Sequence, residues 1–559
     1  MILILFSWIV MLYFFLTMGV TTEFVLKIKS ENRILTVILG IITQTILLTI
    51  VSFFTSIGLE IFICNLILTT TLALFFKNNL VETLRYFKNT FASFSLLIKL
   101  ILIVILLSAL LKCAQFPFIL DNESYYIQTI KWLNEYGLVK GLGNFNIAFA
   151  QTSAWHILQS GFNFSYITSR LNDINGLLLV ICSFYSISIF DSHLKQEKQL
   201  HWLGFLLFFN VIVFQFINAP SPDVPLFLLA QIVFYLFLKE QKSIDDIKII
   251  SLLFLYLVFI KITILPIGLL FLFLFYKEKK GLVFFVFSSV FTFTLWALKN
   301  YILTGYLLFP FDILAIDCDW LVPSKLVNNL NNMIKNHEFL AVKNYKILSL
   351  MDKFKLWIQF KGINSVFNKG IILLFLITPF TKKMQSNYNY KLLYVTLLFF
   401  FIIVFIVSPQ FRFFLAAFLF LATILLSDIF NRIKINTNTF LTLLLVAVSL
   451  PLITNYIVDL KNLTANKLNQ QTDKINFTQL LIPEQNSKYE NISFVKYQVD
   501  NLEFYSPKNN FFFYGTANGP LPCTNVGIIN RFKRKLKIIP QLRTWKLEDG
   551  FYSKKVTND

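Results

Sequence analysis

The sequence predicts an α-helical polytopic membrane protein with about fourteen transmembrane helices and a small α+β domain at its C-terminal end. Composition is the first reason: hydrophobic residues fill 56% of the 559 positions and mean hydropathy is +0.66. Patterning is the second. Apolar runs close to the length that spans a bilayer recur along the chain, without the strict alternation of a membrane barrel. Charge is the third: the net +20 is spread over short loops between apolar runs, so it points to membrane orientation and not to nucleic acid.

Taken in order, the apolar runs predict helices over roughly 2–20, 34–54, 57–76, 96–114, 167–190, 201–217, 224–238, 249–260, 263–276, 281–298, 365–380, 392–407, 412–429 and 438–455. Met1 to Val20 has neither a basic start nor a small-residue cleavage site, so it reads as a retained first helix. Alternate loops carry the basic residues: Lys27/Lys29/Arg33, Lys77/Arg85/Lys88, Lys195/Lys198, Lys239/Lys242/Lys248, Lys277/Lys279/Lys280, Lys382/Lys383/Lys391 and Arg432/Lys434. The positive-inside rule places these in the cytoplasm and the other loops outside. The apolar run between Lys248 and Lys277 has basic flanks on both sides, so it must turn back near Lys261.

These helices divide the chain into N-terminal spans (1–114), a first large outer loop with interfacial helices (115–165), a transmembrane core (166–299), a second outer loop (300–364), C-terminal spans (365–455) and an extracytoplasmic domain (456–559). In the first outer loop Tyr126, Ile130 and Leu133 recur at helical spacing beside Trp132, before turns at Gly137, Gly141 and Gly143. That reads as a helix lying on the membrane surface. Alternation between Asn491 and Tyr505 predicts a strand or two in the last domain, ahead of the basic run Arg531 to Lys537. The five cysteines and four histidines have no metal-ligand spacing. Cys318 and Cys523 fall on the outer side, where either a disulfide or two free thiols fit.

The polar residues of the outer face are the site candidates. Asp121 and Glu123 stand just after a membrane helix, as helix-capping acids or as a general base with its helper. Asp223 ends Pro220-Ser221-Pro222-Asp223 at a helix start. Lys261 interrupts an apolar run, either snorkelling or binding an anion, and Arg412 follows Pro409-Gln410 in a short turn. Two fixed cations near an acidic pair suit a phosphate leaving group. No cofactor is required, although two carboxylates admit a divalent metal.

An acidic residue in the first large outer loop, interfacial helices, many spans and a late outer domain resemble the GT-C glycosyltransferases, which use polyprenyl-phosphate-linked sugars. More closely, the chain is similar to an uncharacterised family of bacterial multi-pass membrane proteins with that architecture. The matching stretches include Asp121, Tyr125, Gln128, Lys131-Trp132, Asn144, Ser221-Pro222-Asp223, Lys261-Ile262-Thr263, Asn300 to Tyr306, Arg412-Phe413 and Leu521 to Thr524. The chain departs from the family pattern at Tyr126, Asn146 and Ala148. The resemblance implies sugar transfer from a polyprenyl-phosphate donor to a glycan or lipid acceptor at the outer face of a bacterial cytoplasmic membrane, in cell-envelope polysaccharide assembly. Asp121 is then the base with Glu123 as helper, and Lys261 and Arg412 hold the donor phosphate. Tyr125, Gln128, Asn144, Asp223 and Asn300 contact substrate. A transporter or flippase of lipid-linked saccharide, or a polysaccharide polymerase or ligase, shares the face and the lipid.

Overall fold

The computed structural model describes residues 1–197, 199–277, 279–340, 342, 344–457, 477–489, 492–508 and 511–556. Among these, eight helices are long and apolar enough to cross a membrane: Ile2–Leu26 (α1), Ile34–Ser52 (α2), Leu96–Cys113, Ile174–Gln196, Leu282–Thr304, Ile363–Phe380, Tyr388–Val407 and Phe411–Ile433. Trp202–Phe214, Asp223–Leu238, Ile262–Tyr276 and Thr437–Ile453 are apolar but shorter. The protein is therefore a multi-pass helical membrane protein with a small β region near its C-terminal end.

Close backbone approach starts the bundle. A Cβ on Gly19 would lie 1.8 Å from the Thr36 carbonyl oxygen, and one on Gly40 would lie 1.6 Å from that of Phe15. With lipid on all sides there is little hydrophobic drive to pair helices, so α1 and α2 gain by direct packing over these glycines. Leu59–Phe75 (α3) is then followed by Lys77–Ser93 (α4) after a bend of 86°. The sequence predicts a basic loop at α4. Its charges hide the helical spacing of Leu80, Leu84, Phe87 and Phe91, which make it amphipathic.

The run after Lys248 turns back as expected. Ile244–Ile260 begins with a capping box between Ser243 and Asp246. Lys261 ends it, a 3₁₀ stretch covers Ile262–Gly268, and Leu269–Lys277 returns. By Gly281 the chain is back beside Ile247.

Contacts between loops show that the two ends of the bundle differ. At one end Lys239 pairs with Glu31 at 2.8 Å, the Lys248 ammonium donates to the Leu26 carbonyl at 2.8 Å, and Lys195 donates to the Ser93 carbonyl at 3.3 Å. At the same end Asn431 accepts from the Leu200 N–H and Asp428 from that of Lys382. The basic loops thus meet. At the other end the amino group of Met1 donates to the Gln479 carbonyl, the Glu484 N–H to Ala114 and the Asn218 amide to Phe116.

That second end carries the C-terminal region. Phe494–Val499 (β1) pairs antiparallel with Leu502–Pro507 (β2), and Ile538–Leu542 (β3) with Phe551–Lys555 (β4). The predicted strand start at Asn491 lies outside the described residues, as do Lys198 and most of the connection after Ile457. Phe551 stacks on Phe145 at 5.0 Å and meets Trp132 edge-on at 5.7 Å. The helix Ile127–Tyr136 lies under this contact. It is not a bare surface helix, because Ile130, Trp132 and Leu133 are at most 2% exposed and Trp132 packs under Phe551. Cys318 and Cys523 are free thiols, with Cys523 buried against the Thr516 carbonyl. The 300–364 segment is largely folded and includes helices Ser324–Lys335 and Leu350–Gln359.

The α1–α2 contact yields a test. Gly40→Val forces the two backbones apart and should cost on the order of 3 kcal/mol. Gly370→Ala meets only the edge of the Phe418 ring at 3.1 Å and should cost much less. Unfolding in mixed detergent micelles measures both; equal midpoints for Gly40→Val and the unmodified protein would refute the crossing.

Candidate functional site

Four charged residues from four distant parts of the chain converge at the end that carries the C-terminal region. The Lys261 ammonium lies 2.5 Å from Asp223 Oδ1, and Arg412 Nη1 lies 3.5 Å from Asp223 Oδ2. Arg412 Nη1 also lies 2.5 Å from Asp121 Oδ2, while its Nε donates to Gln410 Oε1 at 3.1 Å. One carboxylate therefore bridges both cations. Beneath them the Phe413 ring sits 3.8 Å from the lysine ammonium and 5.4 Å from the guanidinium carbon.

Local structure explains each position. Asn122–Tyr126 is a single π-helical turn, a wider turn that re-aims side chains. Asp121 makes no capping hydrogen bond; its carboxylate goes to Arg412. Asp223 is the first residue of its helix and also makes no cap, being 2% exposed and directed at Lys261. Lys261 is placed by the break between its two helical segments, and Arg412 by the 3₁₀ turn Phe411–Phe414. For Asp121, burial disfavours the charge, but the neighbouring guanidinium outweighs it and holds the carboxyl below its ordinary value.

Asp121 and Arg412 line an open groove of about 230 Å³. Gln215, His337, Glu338, Asn364 and Gln410 bring amides, an imidazole and a carboxylate to it, and Phe216 and Phe411 bring aromatic faces. Trp357 anchors its own helix by donating to the Pro409 carbonyl at 2.7 Å. Trp320 lies elsewhere, stacked under Arg543 and bonded to the Tyr301 carbonyl.

The other expected site residues separate into two groups. Tyr125 stays near the cluster, its ring 4.6 Å from Tyr126, with its hydroxyl kept protonated by burial and then by Asp121. Glu123 faces away. It accepts from Ser487 Oγ at 2.6 Å, from the Lys488 N–H at 3.2 Å and from Asn122 at 3.1 Å, and its carbonyl takes the N–H groups of Thr516 and Ala517. Burial raises its pKa. As helper to Asp121 it is misplaced: it clasps the C-terminal region. Gln128 bonds the carbonyls of Ala517 and Gly519, Asn144 those of Trp320 and Phe551, and Asn300 those of Leu307 and Phe309. These three amides tie segments together and do not reach the groove. Among the described residues no three His, Cys, Asp or Glu side chains gather as a metal set, and Asp121 and Glu123 have separate partners.

Two residues near the site carry no sequence signal. His156 is fully buried beside Tyr126, with ring centroids 4.8 Å apart. Its Nδ1 accepts the Ser153 N–H, so Nε2 bears the proton, and no partner for Nε2 occurs among the described residues. Burial, then Lys299 and Lys261, push its pKa down to about 3. Lys299 is 4% exposed and donates to the Thr152 carbonyl. In sequence it looks like an ordinary basic flank of a span.

Residues 1–420 match the family model described as a domain of unknown function (DUF8201), a stretch that includes all four clustered charges. No curated protein and no solved structure matches the chain.

The two acids should respond oppositely to pH. Asp121 is depressed in the fold, so its stabilisation is complete above the ordinary value of 3.8 and is lost as pH falls through the folded value. Glu123 is raised above 4.5, so any stabilisation is present below that value and is lost as pH rises through the folded value. Glu123→Gln should therefore be at least as stable as the unmodified protein at mildly alkaline pH. Glu123→Ala strands the Ser487 and Lys488 donors, costs on the order of 2 kcal/mol and exposes 477–517 to protease. Limited proteolysis checks this; equal cleavage of both variants contradicts the clasp.

Proposed function

The chain belongs to this DUF8201 family, and we propose that it is a GT-C-like membrane glycosyltransferase, with about fourteen spans, working at the outer face of a bacterial cytoplasmic membrane. The donor is a polyprenyl-phosphate-linked sugar and the acceptor a glycan or lipid of the cell envelope. The observation that carries this reading is that Lys261 bonds one oxygen of the Asp223 carboxylate while Arg412 stands within ion-pair distance of the other. A phosphate presents oxygens at similar spacing, so the same two cations suit a lipid phosphate that joins or displaces Asp223. The groove supports the sugar. Amides and a carboxylate suit hydroxyl groups, and aromatic faces suit the apolar side of a pyranose.

In the proposed reaction, Asp121 takes the proton of an acceptor hydroxyl as that oxygen bonds to the anomeric carbon. The bond from that carbon to the phosphate oxygen breaks, and its electron pair leaves on the phosphate, where Lys261 and Arg412 hold the charge. Attack and departure occur on opposite faces, so configuration inverts. Transport of a lipid-linked saccharide is the second reading, favoured by the helix break at Lys261. The clustering of charge at one end of the bundle favours the enzyme.

Two sets of variants test the proposal. Asp121→Asn should cut sugar transfer by about 10²- to 10⁴-fold while leaving polyprenyl phosphate binding. Lys261→Met and Arg412→Met should each weaken that binding, and unchanged affinity in both would remove the phosphate assignment. Orientation is checked with phosphatase fusions, which should be active after Asn218 and inactive after Lys434.

A further inference from the structure

A cavity of about 570 Å³ opens at the basic end of the bundle. The 16-residue Asp223–Leu238 helix runs from the four-charge site toward it, a separation of about 24 Å. Its walls come from the start of α2, from α4, from the end of the Ile174–Glu197 helix and from the residues around Lys239.

The lining has a specific charge arrangement. Three carboxylates, Glu31, Asp191 and Asp246, meet two lysines, Lys195 and Lys239. The Lys239 ammonium serves two of the acids, at 2.8 Å from Glu31 and 2.9 Å from Asp246. Carboxylate is thus in local surplus within a chain of net charge +20, at the end where its basic loops gather. Three tyrosines from three helices, Tyr86, Tyr185 and Tyr235, also face the cavity. Carboxylates with aromatic faces favour an organic ammonium.

The mouth adds a second requirement. Lys195 is half-exposed there, 2.5 Å from Asp191, and is placed to meet an anion beside the ammonium site. One wall is the amphipathic α4, which turns 86° away from α3 and contributes Tyr86, Thr90 and Ser93. An amphipathic helix so turned suits the level of lipid head groups.

We propose that this cavity binds an ammonium–phosphate zwitterion, with the ammonium among the tyrosines, Glu31 and Asp191 and the phosphate on Lys195. An aminophospholipid head group has that chemistry, and so does free O-phosphoethanolamine. The experiment measures binding of the full chain in detergent to phosphatidylethanolamine, to phosphatidylglycerol and to O-phosphoethanolamine. Phosphatidylethanolamine should bind about tenfold more tightly than phosphatidylglycerol, the size of one partly desolvated cation–π contact. Glu31→Gln, at a side chain 73% exposed and so harmless to folding, and Tyr86→Leu should each reduce that preference several-fold. Weak binding of O-phosphoethanolamine identifies the lipid as the source; binding as tight as the lipid's identifies a soluble zwitterion in the same site. Equal affinity for the two lipids in the unmodified protein, or a preference unchanged in both variants, overturns the proposal.

Discussion

The contact on which the arrangement depends is the sharing of Asp223 between Lys261 and Arg412. Removing a carboxylate from water costs several kcal/mol, and only well-placed opposite charge recovers it. Asp223 is 2% exposed, so both cations must stay close to offset the hydration its carboxylate has lost. That requirement fixes the break after Ile260, the 3₁₀ turn at Phe411–Phe414 and, through Arg412, the π turn that holds Asp121. The hairpin of Asp223–Leu238 and Ile244–Ile260 is clamped in the same manner at its far end by Lys239 and Asp246, 2.9 Å apart. At both ends an acid stands in the first turn of one helix while a base follows the last residue of the other, in accord with the helix dipoles.

The C-terminal region is held by a different kind of bond. Glu123, Gln128 and Asn144 bind its backbone, and Tyr514 reaches the groove beside Asp121. Bonds of this kind fix position without adding charge to the cluster of Asp121, Asp223, Lys261 and Arg412. The π turn therefore divides two adjacent acids between two tasks, Asp121 toward the groove and Glu123 toward the fold.

Much of this was legible in the sequence, for identifiable reasons. Apolar runs and basic loops marked the helices because hydrophobic length and lysine placement are local signals. They also gave the turn at Lys261. The convergence of Asp121, Asp223, Lys261 and Arg412 could be anticipated because each breaks an apolar context at the same end. Orientation within a turn is not local, and so Glu123, Gln128 and Asn144 looked like site residues when most of their partners lie far along the chain, while Asn300 turns to the nearby carbonyls of Leu307 and Phe309. The amphipathic α4 was masked by its lysines and arginine. His156 and Lys299 were missed because a lone histidine in Ala154-Trp155-His156 and a lysine closing a span are unremarkable until burial is known.

On the proposed reading, the ion pairs of the site also order the reaction. Asp121 held against Arg412 is a weak base, because the guanidinium stabilises its charged form and lowers its proton affinity. A phosphate that engages Arg412 competes with Asp121 for the same Nη1 donor. As that pairing is lost, burial dominates and the proton affinity of Asp121 rises. The base then becomes competent only when a leaving group is in place, while Asp223 keeps Lys261 oriented. An acceptor entering first would find Asp121 still neutralised, so the same two bonds that stabilise the resting protein also restrain unproductive deprotonation.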